Sequence, residues 1–148
     1  MNIKSLLSPD CVLFKHQCAS KKRLLETIAS HLCDHNTDLD PSNVFSALIA
    51  RERLGSTGLG KGIAIPHCRI ADCTETIGVL VTLATPIDFN AVDSELVDII
   101  FVLVVPEDGH KDHLQTLATI AETFSDKDCL QRMRKSMNAQ ELYNIVTT

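Results

Sequence analysis

The sequence contains no tryptophan, and only 4% of its residues are aromatic. Its 45% apolar share is therefore largely aliphatic, and so is the core it predicts. No apolar run approaches bilayer-spanning length, which excludes a membrane-inserted helix, and the apolar part of MNIKSLLSPD is too short for a secretory signal. The six cysteines (11, 18, 33, 68, 73 and 129) include no Cys-x-x-Cys pair, so neither a zinc site nor a redox dithiol is spelled out. Scattered thiols of this kind are expected of a cytoplasmic protein. Positive charge is not in excess either. A net charge of −5 removes the general reason to expect a nucleic-acid partner. No linker, repeat or low-complexity stretch interrupts the chain, and residues 1–148 are read as one domain.

Glycine is also scarce, and its distribution is informative. Four of the six glycines fall in one stretch, GSTGLGKGIAIPHCR, from Gly55 to Arg69. Glycines this close together let backbone N–H groups converge on an anion, because no Cβ blocks the approach or forbids positive φ. Residues Gly55 to Lys61 match the first seven positions of a nucleotide-binding P-loop, but Gly62 stands where Ser or Thr must hold magnesium. The order is also reversed, with a helical pattern before the glycines and a strand-like one after. The same reversal and the wrong glycine spacing exclude a dinucleotide fingerprint.

The flanking pattern predicts helices at both ends of a strand-rich middle. Residues 3–14 read as a turn of helix and a brief strand around Pro9. Ser20 caps a helix with Leu24, Leu25, Ile28 and Leu32 inward, ending near His35–Asn36. His31 and His35 share one face of it, but the intervening Leu-Cys-Asp lacks a metalloprotease glutamate, so both are read as surface or core-edge residues. Asp40 and Pro41 open a second helix, with Val44, Phe45, Leu48 and Ile49 as its buried stripe and Gly55 as its stop. Strands are expected at Ile63–Ile65, Ile77–Ala84, Ile87–Phe89 after a turn at Thr85-Pro86, and Val97–Val105. The last, VDIIFVLVV, has too little polar alternation for a one-sided strand and is expected to be covered on both faces. Helices follow over 110–125 (Leu114, Leu117, Ala121 and Phe124 inward), over 127–135, and from Asn138, where Asn-Ala-Gln-Glu is a capping-box variant. The fold class is α/β, a sandwich around one mixed sheet.

Chemistry is expected around His67. A histidine at the mouth of a glycine loop is a candidate general base, metal ligand or nucleophile. Four basic residues (Arg51, Arg53, Lys61 and Arg69) face one acid, Glu52, between Arg51 and Ile70, in a chain that is acidic overall. Phosphate suits such a neighbourhood. Arg51 has two readings: complement to its helix dipole, or a side chain that meets the same anion as His67. Gly109-His110-Lys111-Asp112-His113 opens the helix after the most apolar strand, where α/β folds gather sites and N–H groups favour anions. His113, four residues before Leu117, leans to the buried side. His110 is read as solvated.

The stretch GSTGLGKGIAIPHCR resembles the phosphorylation-site segment of enzyme IIA domains of the bacterial phosphoenolpyruvate-dependent phosphotransferase system. The class is the mannitol/fructose/nitrogen-regulatory one, with the nitrogen-regulatory branch fitting best. Arg51-Glu52, Thr85-Pro86-Ile87, VDIIFVLVVP, Lys111-Asp112-His113-Leu114 and Glu141-Leu142-Tyr143 extend the resemblance over nearly the whole chain. It implies a mannitol-type IIA fold and a phosphotransferase working through a phosphohistidine. His67 would accept the phosphoryl group from a small carrier protein related to HPr, with His113 and Arg51 supporting it. Ser56, Thr57, Gly58, Gly60 and Lys61 would form the phosphate-binding loop. No metal or cofactor is called for. Regulated targets such as a transporter, a kinase or another regulator are the expected partners. The lack of a fused IIB or membrane IIC segment favours regulation over a second role, feeding a fructose- or mannitol-type permease. A third reading, a binding module without phosphotransfer, is opposed by the intact His67, Arg51 and His113. Two residues depart from the family pattern: Cys68 stands where glycine is usual and Lys61 where asparagine is frequent. Cys68 is expected to be a tolerated substitution, although Arg69 beside it would favour a reactive thiolate.

Overall fold

The computed structural model describes residues 3–107 and 110–148, the side chains of 110–113 excepted. The fold is a six-stranded mixed sheet with helices packed around it. A short α1 (Ile3–Leu6) and a 3-10 turn at Pro9–Cys11 lead into β1 (Val12–His16). Helix α2 (Lys21–Asp34) starts where Ser20 accepts from the Arg23 N–H, and α3 (Pro41–Leu54) where Asp40 accepts from Ser42. A hairpin, β2 (Gly58–Gly60) and β3 (Ile63–Ala64), follows, then β4 (His67–Ile70), β5 (Ile77–Ile87) and β6 (Val97–Pro106). Three helices close the chain: α4 (His110–Ser125), α5 (Lys127–Lys135) and α6 (Ala139–Thr147). Asn138 caps α6 by accepting from the Glu141 N–H, as its sequence predicts.

The strand order is β1-β5-β6-β3-β2, with β4 also on β6. Strand β6 is the centre of the molecule. It runs antiparallel to β5 and parallel to both β3 and β4, which lie in succession along its other edge. Residues 99–104 are completely buried, as expected of a strand covered on both faces. Phe101 packs on Phe124 of α4, ring centroids 5.6 Å apart, and helices α2 and α3 pack on each other and on β5 and β4 respectively.

Three sequence expectations are corrected. The strand read at Ile63–Ile65 resumes after Pro66 as β4, which was not expected. Pro66 supplies no N–H, so it interrupts the ladder along β6, yet its carbonyl still accepts from Leu103. Thr85-Pro86 is not a turn, and no separate strand forms at Ile87–Phe89. Strand β5 continues to Ile87, which pairs with Val97 after a register irregularity beyond Thr82 that accommodates the proline. Leu114 is not inward. It is 68% exposed, because the buried stripe of α4 is Thr116, Ile120 and Phe124, and residue 114 lies about 200° around the helix from Thr116.

Candidate functional site

The last turn of α3 and the first residue of β4 build the centre of the site. His67 sits opposite Leu103 of β6, half-buried at the strand's start. Its Nδ1 lies 3.0 Å from the Ile65 carbonyl oxygen. A carbonyl only accepts, so Nδ1 carries the proton and donates. The opposite nitrogen, Nε2, then holds the lone pair, and Arg51 Nε donates to it at 3.2 Å. The two contacts select one tautomer. Arg51 is held in turn by its Nη1, which donates to the Gly55 carbonyl at 2.9 Å. The reading of Arg51 as a side chain that meets His67 is the one its geometry matches.

Burial lowers the pKa of His67 below its ordinary value of 6.5, and the neighbouring Arg51 and Arg69 charges lower it further. The Ile65 carbonyl and Glu52 oppose them. The net result is a neutral imidazole at neutral pH, with a nucleophilic lone pair beside a guanidinium. One consequence concerns stability. The unfolded chain binds a proton at its histidine in a range where folded His67 does not, so below about pH 6.5 this residue erodes stability as pH falls.

The glycine stretch is a hairpin whose polar groups are engaged inside the protein. Ser56 Oγ donates to the Phe89 carbonyl at 2.7 Å and accepts from the Gly58 N–H. Thr57 is buried, and both its N–H and its hydroxyl donate to the Glu52 carboxylate. The Lys61 N–H donates to Asp93 at 2.9 Å. Gly58 is needed for close packing: a Cβ there would lie 2.8 Å from that of Ala91. Gly60 has φ +98 and Lys61 adopts φ 59 in the hairpin turn. Thus Arg51 and His67 come together, whereas Ser56, Thr57, Gly58, Gly60 and Lys61 build the loop and its contact with residues 91–93. His113 falls in the first turn of α4, and its side chain lies outside the described residues.

Sequence reasoning missed Glu52 as a participant. Its signal was present: Val44, Leu48 and Glu52 recur every four residues, so residue 52 lies on the buried stripe of α3. A carboxylate there needs partners. Lys21 supplies one, with Nζ 2.7 Å from Glu52 Oε2. Arg134 was missed as well. It pairs with Asp98 at 2.9 Å and donates to the Lys61 carbonyl, tying α5 to the hairpin turn.

The family model "Phosphoenolpyruvate-dependent sugar phosphotransferase system, EIIA 2" matches residues 5–148. The chain belongs to this family. The EIIA 2 chain is 43% identical over 148 residues to a nitrogen regulatory protein of Escherichia coli (strain K12), covering 99% of this chain and 90% of that one. Among solved structures, it superposes on the nitrogen regulatory protein IIA-Ntr from Neisseria meningitidis with TM-score 0.92 and 36% identity, covering 98% and 99% of the two chains. The Escherichia coli IIA mannitol structure matches with TM-score 0.78 at 17% identity, over 94% and 97%, a likeness of fold.

In this EIIA 2 chain Cys68 is buried on β4, and desolvation pushes its thiol up to about 12, with Cys73 nearby adding to the shift. The activating effect expected of Arg69 is outweighed by burial. Cys68 should therefore resist a charged thiol reagent while the half-buried Cys18 is modified. Replacing Cys68 with alanine should leave phosphoryl acceptance within about twofold of wild type, since the thiol is not aimed at a reacting group. Timed alkylation with peptide mapping, and labelling of the variant, check both.

Proposed function

We propose that the protein is a phosphocarrier that accepts a phosphoryl group on His67 Nε2 from a histidine-phosphorylated carrier protein related to HPr, and regulates partner proteins according to its phosphorylation state. The observation that carries this reading is the Arg51 guanidinium at 3.2 Å from the lone-pair nitrogen of an imidazole whose other nitrogen is held by Ile65. In the step, the donor's N–P bond breaks with its electron pair returning to the donor nitrogen, and the Nε2–P bond forms. The positive charge that develops on the ring is shared with the Ile65 carbonyl through the Nδ1 proton. Arg51 moves from Nε2 onto the phosphoryl oxygens it faces, as a preorganised cation. His113 is assigned the second supporting role, and residues 1–148 act as one unit in the cytoplasm.

Two further features support a protein donor and a regulatory role. Leu54, three residues after Arg51 and on the same side of α3, is 84% exposed. An exposed leucine beside the site suits a protein surface better than a small solute. Among the relatives described, those above a third identity are nitrogen regulatory proteins, whereas the mannitol protein shares the fold at far lower identity. This favours regulation over sugar transfer.

Incubation with labelled phosphoenolpyruvate and the general phosphotransferase components tests the reading. One equivalent of label on His67 is expected. The acceptance rate should be flat through neutrality and fall on the acid side with a midpoint below 6.5, because protonated Nε2 has no lone pair. A midpoint above that value, or no label on any histidine, overturns it.

A further inference from the structure

Glu52 connects to both edges of the His67 ring. Its side chain is only 4% exposed, and its Oε2 accepts from Lys21 Nζ at 2.7 Å and from the Thr57 N–H at 3.2 Å, while Oε1 accepts from the Thr57 hydroxyl. The Thr57 carbonyl then accepts from the Ile65 N–H at 3.1 Å, and the Ile65 carbonyl from His67 Nδ1 at 3.0 Å. One arm thus runs Glu52, Thr57, Ile65, Nδ1. The other passes through the α3 backbone to the adjacent Arg51 and on to Nε2. Consecutive residues of a helix point about 100° apart, so burial of Glu52 leaves Arg51 aimed at the ring.

The anchor is itself fixed from several sides. Lys21 opens α2, lies 4.5 Å over the Phe89 ring and reaches the Phe89 carbonyl, which also accepts from Ser56. The first turn of α2, the last turn of α3, the entry to the glycine hairpin and the segment after β5 therefore meet at one buried charge. Lys21 reaches only Oε2, so Thr57 completes the satisfaction of the carboxylate by bonding Oε1 through its hydroxyl and Oε2 through its N–H. The same two bonds fix Thr57, whose carbonyl holds the segment that carries Ile65 and His67.

We propose that Glu52 is the positioning residue of the transfer, holding the imidazole through Thr57 and Ile65 at Nδ1 and through Arg51 at Nε2. The inference rests on His67 as the acceptor. The arm through Thr57 fixes where the Ile65 carbonyl sits, and that acceptor favours the Nδ1–H tautomer that leaves Nε2 nucleophilic.

The test uses Glu52→Gln and Thr57→Val in the full chain, each checked for folding by circular dichroism. Single-turnover transfer from the phosphorylated donor protein gives a maximal rate and a half-saturating donor concentration. Long-range proton–nitrogen NMR reports the tautomer of the His67 ring without any phosphate. For Glu52→Gln the maximal rate should fall on the order of 10-fold to 100-fold with half-saturation unchanged, since the donor surface is intact but the attacking nitrogen is misaligned. Wild type should show the Nδ1–H form, and Glu52→Gln a mixture of tautomers. Thr57→Val keeps its backbone bonds, so its rate should fall less, by roughly threefold to tenfold, with the same change in the ring signals. Folded variants with wild-type rate and wild-type ring signals overturn the inference, and if Glu52→Gln does not fold, that result in Thr57→Val is sufficient to do so. A wild-type protein that takes no label overturns the acceptor assignment instead, and the ring signals still decide the role of Glu52.

Discussion

His67→Ala is expected to accept no phosphoryl group from the donor while keeping its fold. The residue is half-buried at the first position of a short strand, and truncation removes its hydrogen bonds with Ile65 and Arg51. Each is worth about 1 kcal/mol, too little to unfold a domain with a core of this extent. The chemical consequence is total, because among the described residues no other group near Arg51 is prepared to attack phosphorus. Ser56 and Thr57, the hydroxyls of the same loop, are engaged as donors to the Phe89 carbonyl and the Glu52 carboxylate, and Thr57 is also buried. A phosphoramidate is labile in acid and stable in base, opposite to phosphoserine, so the label on wild type should disappear at low pH and persist at high pH. Mass mapping that places the phosphate on Ser56, Thr57 or His113 would sink the assignment. A folded His67→Ala protein labelled at full stoichiometry would do the same.

The second large effect is expected at Arg51. Its guanidinium makes two directed contacts, Nε to His67 and Nη1 to the Gly55 carbonyl, and so places a cation against the attacking nitrogen. Removing one preorganised donor of developing charge costs on the order of 10²-fold to 10³-fold in rate. Arg51→Ala should therefore accept phosphate slowly but detectably, with the same site labelled at long times. Lysine should rescue little, since a single ammonium cannot hold the Gly55 carbonyl and reach Nε2 in the fixed geometry of a planar fork. Arg51 also contributes to the lowered pKa of His67, so its loss should move the acid limb of the rate profile upward toward 6.5. Rate profiles of the two variants against wild type provide the check. A profile with unchanged rate and unchanged midpoint would return Arg51 to a helix-dipole role.

Much of the chain was legible from local signals. Asp40-Pro41, Ser20 and Asn138 begin helices because their side chains or fixed φ satisfy the first orphan N–H groups, whatever lies elsewhere in the fold. The run Val97–Val105, apolar but for Asp98, required burial on both faces, and β6 is the centre of the sheet. The stretch from Gly55 to Arg69 marked the site, and its residue pattern carried the family. What local signals could not supply was which groups meet. Register along β6 decided that β4 resumes after Pro66 and brings His67 opposite Leu103. An irregularity in pairing, invisible in composition, let β5 continue through Pro86.

The glycines show the same division. Their sequence clustering pointed to convergent N–H groups around an anion, and in three dimensions Gly58 and Gly60 let residues 91–93 pack on the hairpin, with nearby donors bonded inside the protein. Glycine spacing states where a Cβ is not tolerated, but a long-range neighbour decides the reason. Glu52 is the clearest case. In the sequence it stands only as the one acid among four basic side chains, whereas its position continues the buried stripe of Val44 and Leu48. Only the packing of α2 against α3, which brings Lys21 within 2.7 Å, reconciles the two, because a buried carboxylate is stable only where the fold delivers its partners. Local sequence determined the elements and the reacting residue types, since those depend on neighbours a few positions away. Tertiary structure decided the aim of Arg51 and the anchor behind it, since these depend on groups 16 and 31 positions apart along the chain, whereas the tautomer is set by Ile65, two residues from the ring.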